Sequence, residues 1–238
     1  MAAPANGQPK RARGRPKTFD RAVALQQAMK LFWERGYEGT SFDDLIGAMQ
    51  ISPSSFYNTF DSKERLYQEA TETYAAHAAE WFSGELAAIT DTRTAFNQLL
   101  NSAAREFTRD DLPSGCMIAL GCTQARPELA GLRDMMAGYR SGARIAMAER
   151  IQQGIERGDV PKDAKVEALA AFYSALSGGM ALLARDGASR ERLLEIVEIG
   201  MRAWPLAPAE SRSRRAETLP HATGKGTRTQ PARRRPRA

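Results

Sequence analysis

Apolar residues recur at helical spacing from Ala22 to Trp204, interrupted by short polar, glycine- or proline-bearing stretches. The pattern predicts an all-α chain of about nine helices. Ala22, Leu25, Met29 and Phe32 mark the first, with Thr18 placed as its cap, Asp20 in its first turn and Gly36 as its stop. Trp33 and Tyr37 extend its apolar face toward the next element. Phe42, Leu45, Ile46 and Met49 face one side of a second, short helix. Ser41 caps it, and Asp44, three positions on, completes a capping box. Gln50-Ile51-Ser52 makes a tight corner, and Ser52 caps a third helix. Pro53 then takes the first helical position, where its missing N–H costs nothing. A fourth, long helix starts with Asp61 or Ser62 as cap, Glu64 being the box partner of Asp61. Leu66, Ala70, Tyr74, Ala78 and Trp81 carry it to about Ile89.

Farther on the periodicity continues with less punctuation. Ala95, Phe96, Leu99, Leu100, Ala103 and Phe107 mark a helix from Thr92 to about Thr108, and residues 110–115 form a loop. Cys116 to Ala125 reads as a short apolar helix, and a long one follows Arg126-Pro127-Glu128 as far as Gly158. Lys162 to Arg185 and Ser189 to Trp204 form the last two. The uncharged run from Ala168 to Ala184 contains serines and a glycine pair and falls short of the ~20 apolar residues of a membrane span, so a buried helix is expected there.

The second and third helices have the pattern of a helix-turn-helix. In the third, Phe56 and Phe60 lie four apart and turn inward, leaving Ser54, Ser55, Tyr57, Asn58 and Thr59 outward. Hydroxyls, an amide and a phenol on an uncharged short helix suit base edges and phosphate oxygens. Lys63 opposes the dipole at the start of the fourth helix, so a phosphate contact explains it better than local stability does. The first helix would clamp the pair from behind.

Charge sharpens this picture. Residues 1–17 carry five basic residues and no acid; residues 207–238 carry nine basic residues against two acids. A net charge of +6 for the chain leaves residues 18–206 at −6. Positive charge therefore sits on two tails of disordered composition, around a mildly acidic body. Arg13 and Arg15, in Arg-Gly-Arg-Pro, are placed to enter a minor groove or neutralise phosphates. The organisation expected is a basic arm (1–17), a DNA-binding head (18–62), a helical body (63–206) and a basic tail (207–238).

Gly36-Tyr37, Thr40-Ser41, Asp44-Leu45, Ile51-Ser52, Phe56-Tyr57 and Phe60 with Ser62-Lys63-Glu64 closely resemble the N-terminal domain of the TetR family of transcriptional regulators. The resemblance covers about residues 18–70. It implies an all-helical homodimer that represses transcription and leaves a palindromic operator in double-stranded DNA when a small-molecule effector binds. Carried onto this chain, it gives Tyr57 and Lys63 phosphate contacts, Ser54, Ser55 and Asn58 a place at or near the bases, and Thr40 and Ser52 the anchoring of two helix N-termini. Ser41 and Thr59 complete the candidate DNA face. Two positions depart from the family: Gln50 stands where glycine is frequent, and Thr59 where histidine is.

In the body, Phe172, Tyr173, Leu176, Gly179, Met180, Leu183, Leu193, Val197, Gly200 and Trp204 are the candidate dimer interface, since the last two helices are broadly apolar and carry small residues that permit close approach. Ordinary core is the competing reading of that face. Trp81, Phe82, Phe96, Phe107, Cys116, Met117, Met136 and Tyr139 are candidate lining for an apolar or planar ligand; for each of them plain packing competes. No cofactor or metal is expected: the two histidines, His77 and His221, have no Cys or His at ligand spacing. Cys116 and Cys122 do not make a disulfide framework and fit a reduced, cytoplasmic setting. No catalytic set or phosphate-binding loop is present, so no enzymatic activity is expected. The rival reading is an architectural protein that coats DNA through its basic tails with little sequence preference.

Overall fold

In a computed structural model, residues 20–123 and 126–205 are described. Arg13, Arg15, Thr18 and both tails lie outside them. The described residues form nine α-helices and no strand: α1 (Arg21–Arg35), α2 (Phe42–Met49), α3 (Pro53–Phe60), α4 (Lys63–Ala87), α5 (Thr92–Phe107), α6 (Met117–Leu120), α7 (Ala130–Arg157), α8 (Val166–Arg185) and α9 (Arg190–Met201). A 3-10 turn, Pro127–Leu129, leads into α7.

The caps set the boundaries of the head. Asp20 caps α1, its carboxylate accepting from the N–H groups of Ala22 and Val23 at 2.9 and 3.2 Å. This replaces the expected Thr18 with a stronger acceptor nearer the free N–H groups. Ser41 and Asp44 form the reciprocal box, each side chain accepting from the other's backbone N–H at 3.0 Å. Those bonds from Ser41 hold the Asp44 carboxyl below its ordinary pKa. Ser62, not Asp61, caps α4, accepting from Arg65 N–H at 3.1 Å. Asp61 instead turns the chain out of α3 at φ 65°.

Gln50 closes α2 in the left-handed region, at φ 53° and ψ 43°. A side chain with a Cβ is strained there by about 1–2 kcal/mol, part of which glycine returns as unfolded-state entropy. Gln50→Gly is therefore expected to raise stability by about 0.5–1 kcal/mol in urea unfolding without altering the head. A loss of stability would show that the Gln50 side chain contributes more than its backbone strain costs.

Two hydrophobic cores organise the chain. The first belongs to the head and neck: Leu25, Ala28, Met29 and Phe32 of α1, Leu45 and Met49 of α2, and Phe56 and Phe60 of α3. It continues through Leu66, Tyr67 and Ala70 of α4 into Met117, Leu132 and Met136. The second fills the body, from Phe96, Leu99 and Leu100 of α5 to Ile151, Tyr173, Met180, Leu193, Val197 and Trp204. Residues of α4 contribute to both cores.

Arg150 of α7 pins the far end of α4. Its buried guanidinium donates to the carbonyls of Leu86, Ile89 and Thr90 at 3.1, 2.8 and 2.8 Å, and to Thr92 Oγ1 at 2.6 Å. The Leu86 carbonyl is one that the C-terminus of α4 leaves without a helical partner, and Ile89 and Thr90 lie just beyond that helix. Thr92 Oγ1 in turn donates to Asp159 at 3.0 Å, so one cluster joins α4, α5 and the end of α7.

The helix expected over 116–125 is shorter: α6 ends at Leu120. Gly121 leaves it in extended geometry, and a Cβ there would meet the Met117 carbonyl at 2.6 Å and the Met136 side chain at 2.1 Å. Gly121 thus allows the close approach of this segment to Met136 of α7. Likewise α8, expected to be buried, is long and apolar enough to cross a membrane by length and composition, yet only 22% of its most apolar window is buried within the chain. One side packs into the body core and the other is open.

Candidate nucleic-acid interface

The candidate recognition surface is built on α3. Ser52 Oγ accepts from Ser55 N–H at 3.2 Å, and Pro53 opens the helix. Phe56 and Phe60 anchor it from beneath, at 0% and 3% exposure. Ser52, Ser54, Tyr57 and Asn58 are exposed, and Ser55 and Thr59 are half-buried. The face carries no ionised side chain. Three hydroxyls cluster at its start, with Ser52 Oγ 3.0 Å from Ser54 Oγ and 2.9 Å from Ser55 Oγ. Thr59 donates its hydroxyl to the Ser55 carbonyl at 2.7 Å, leaving only acceptor capacity outward.

Tyr57 is 57% exposed, and its ring lies nearly parallel to that of Phe42, 5.3 Å away. Phe42 itself meets Phe56 edge-on at 4.9 Å. The phenol is thus held on an aromatic shelf with its hydroxyl end in solvent, an orienting role for Phe42 that apolar periodicity alone had hidden. Lys63, at the first turn of α4, places its ammonium 4.4 Å from the centre of the Tyr37 ring. Burial lowers the pKa of this lysine, while the tyrosine beneath it is raised by its own burial. Pre-orienting a lysine beside the recognition helix suits a phosphate contact.

Thr40 and Ser41 sit differently. Thr40 is fully buried and donates to the Gly36 carbonyl at 2.7 Å, so its side chain braces the turn after α1 and does not present itself to DNA. The Ser41 hydroxyl is exposed but belongs to the α2 cap.

In the body the expected dimer set divides. Tyr173, Met180, Leu193, Val197, Gly200 and Trp204 are buried within the chain, where Tyr173, Trp204 and Phe96 pack ring against ring. Burial pushes the Tyr173 phenol up to about 12, and it donates to the Gly200 carbonyl at 3.3 Å. These six are core, because that face of α8 and α9 closes over α5. Leu176 is half-buried; Phe172, Gly179 and Leu183 are exposed. They join Ala168, Ala175 and Leu182 in one stripe along α8, with Ile199 exposed on α9. Ala168, Phe172, Ala175, Gly179 and Leu182 recur at helical spacing on one face, but so do the buried Ala170, Tyr173, Met180 and Ala184 on the other, so spacing alone does not tell the two faces apart.

The eight candidate ligand residues do not converge. Phe96 and Phe107 belong to the body core, with Trp81, Phe82 and Cys116 packed against it; Met117 and Met136 belong to the head-and-neck core. Tyr139 is half-buried on α7, its pKa raised chiefly by burial. Two shallow grooves, one between the end of α8 and the start of α9 and one between α7 and the start of α8, are lined by none of the eight. Spacing alone could not tell one packed aromatic from another.

A three-helix head that presents an uncharged polar helix, carried on a larger helical body with an open apolar stripe, defines a helix-turn-helix DNA-binding regulator. Residues 24–70 match the bacterial regulatory proteins of the tetR family. Over 201 residues the chain is 34% identical to the HTH-type transcriptional repressor ComR of Escherichia coli, spanning 82% of this chain and 94% of ComR. The solved structure of a cysteine mutant of the TetR family regulator CifR, complexed with 26-bp double-strand operator DNA, is 39% identical. It matches with a TM-score of 0.77 over 81% of this chain and 100% of that one. A TetR regulator from Chloroflexus aurantiacus is 26% identical, with a TM-score of 0.68 over 79% of this chain and 96% of its own. The chain belongs to the TetR family of transcriptional regulators.

Proposed function

We propose that the protein is a homodimeric repressor that grips a palindromic operator with one α3 in each half-site and releases it when a small-molecule effector binds the body. The observation that carries this reading is the exposed face of Ser54, Tyr57 and Asn58, fixed by the Ser52 cap and by the Phe56 and Phe60 anchors. The relatives support it: ComR is a transcriptional repressor, and the CifR mutant is complexed with operator DNA. One helix-turn-helix covers little DNA, and pairing two about one helical turn apart multiplies affinity. The open stripe on α8 supplies the surface for that pairing. Tyr57 and Lys63 take phosphates, Ser54, Ser55 and Asn58 lie at or near base edges, and the basic arm with Arg13 and Arg15 adds backbone or minor-groove contacts. A regulator of this kind works beside the chromosome, and the cytoplasm is the compartment this reading proposes.

Release follows from α4 sharing both cores. An effector that prefers a body with α4 displaced changes the separation of the two heads. It weakens operator binding by the same factor by which operator weakens effector binding.

Selection of bound duplexes from random DNA at near-physiological salt tests the reading. An enriched palindrome supports it, and deletion of the tails then weakens binding while the sequence preference survives. Tight binding without enrichment, abolished by removing both tails, would establish the DNA-coating alternative instead.

Tyr57→Ala is expected to lower affinity for that palindrome roughly tenfold, about 1–2 kcal/mol, with a modest fall in unfolding temperature from the lost stacking on Phe42. Tyr57→Phe, which keeps the ring on Phe42 and removes the hydroxyl, should account for most of the loss. If both substitutions bind like the parent, Tyr57 has no contact with the operator.

A further inference from the structure

Arg185, the last residue of α8, reaches across to the head. Its guanidinium donates to the carbonyl of Trp33 at 2.7 Å, of Glu34 at 2.7 Å and of Ser114 at 3.0 Å. Trp33 and Glu34 lie in the last turn of α1, where carbonyls lack helical partners and carry the negative end of the dipole. The neighbouring Phe32 carbonyl is already taken by Gly36 N–H at 2.9 Å. A side chain from the body thus completes the C-terminus of a head helix.

The base of this bridge is firm. Gly115, at φ 79°, follows Ser114, and a Cβ there would lie 2.6 Å from the Ala181 carbonyl, so the loop lies directly on α8. Its N–H is held by the Phe107 carbonyl at 2.9 Å. Beyond it, Cys116 Sγ accepts from the Tyr74 hydroxyl at 3.3 Å, and the Tyr74 ring meets Trp33 edge-on at 4.9 Å. Thus α8, the 114–116 loop, α4 and α1 meet at one junction.

What gives the junction a function is what else that turn of α8 carries. Leu182 and Leu183, 51% and 41% exposed, belong to the open stripe; Arg185 leaves the flank of the same turn toward α1. At the other end of the bridge, α1 shares one core with α2 and α3, so the placement of α1 bears on that of α3. A single turn therefore connects the surface that would meet a second copy to the unit that carries the recognition helix.

We infer that Arg185 is a positioning residue that sets the angle of the head on the body and thereby the half-site spacing the dimer accepts. The inference rests on the dimeric, operator-binding reading above. Arginine is required because its planar fork can address three carbonyls in two segments at once; lysine keeps the charge but not the fork.

The test uses full-length protein, its Arg185→Met and Arg185→Lys variants, and the palindrome enriched by the parent. The central spacer is varied by one and two base pairs in each direction, and a duplex with a single half-site is included. The parent should lose affinity steeply as spacing departs from its optimum. Arg185→Met should lose about 5- to 20-fold at the optimum, the range of an ordinary coupling between sites, with far smaller losses at other spacings. Its single-half-site affinity should be unchanged. Arg185→Lys, which is less exposed to any folding defect, should show the same flattening. A spacing profile of unchanged shape in both variants overturns the inference, as does an equal loss on every duplex including the single half-site. A parent that binds all spacings equally would bring down the dimeric reading itself, and the inference with it.

Discussion

Replacing Phe172 and Leu182 with aspartate is expected to give a folded monomer whose affinity for the operator has fallen by a factor of a hundred or more. Both residues lie on the open side of α8, at 42% and 51% exposure, and the one ring contact at stake is the edge of Phe172 against Tyr173 at 5.0 Å, so a charge at either position disturbs little packing within the chain. In a dimer the same positions become an apolar core, where four unpaired carboxylates facing one another are heavily penalised. Loss of the dimer turns two linked half-site contacts into one, and linkage of this kind contributes about 10²–10⁴ in affinity. The measurement is sedimentation of the double variant with an operator titration at the same concentration. The monomer should unfold at a temperature close to that of the parent protomer under dissociating conditions. A double variant that remains dimeric would move the interface elsewhere. The contrast is Tyr173, fully buried on the opposite side of the same helix, where aspartate would unfold the body and not merely divide the dimer.

Arg150→Met is expected to reduce unfolding free energy by about 3–5 kcal/mol, the cost of breaking a buried charged network from one side. Methionine keeps much of the stem and removes the donors to three carbonyls and to Thr92 Oγ1. Arg157, 3.0 Å from the Thr92 hydroxyl, can replace one contact at most. Burial lowers the Arg150 pKa, but a guanidinium stays protonated in proteins, so the loss should not depend on pH near neutrality. Urea unfolding of Arg150→Met and Arg150→Lys checks this, with lysine recovering a minority of the loss. Because the network pins the end of α4, hydrogen exchange at Leu86 to Thr92 should accelerate before the rest of the body. A loss under 1 kcal/mol in urea would mean that water replaces the guanidinium without penalty.

The head was legible in the sequence because its signals are local. Ser41 with Asp44, Ser52 with Pro53, and Phe56 with Phe60 act over one to four residues, and the structure shows each pair where the spacing placed it. Gln50 was marked only as standing where the family often has glycine, and the structure shows why glycine suits that corner: its backbone is left-handed. The body was less legible because an apolar side chain looks the same in sequence whether it faces its own core or a partner. Tyr173, Leu193 and Trp204 turned out to be core, whereas Ala168, Ala175 and Leu182 form the open stripe. The roles of Arg150 and Arg185 carry no local signal, because the carbonyls that hold them lie 60 to 64 and 71 to 152 residues away. Thr40 looked like part of the DNA face and is buried beneath it, since its hydroxyl finds the Gly36 carbonyl, which only the folded turn brings near.

The most direct test of the account is the affinity of the full-length protein for its selected palindrome against the same duplex with one half-site scrambled, at one fixed near-physiological salt concentration. Two coupled α3 helices reading two half-sites predict a loss of about 100-fold or more on scrambling. Affinities within about threefold of each other would mean that phosphate contacts alone hold the DNA, and would contradict the central claim.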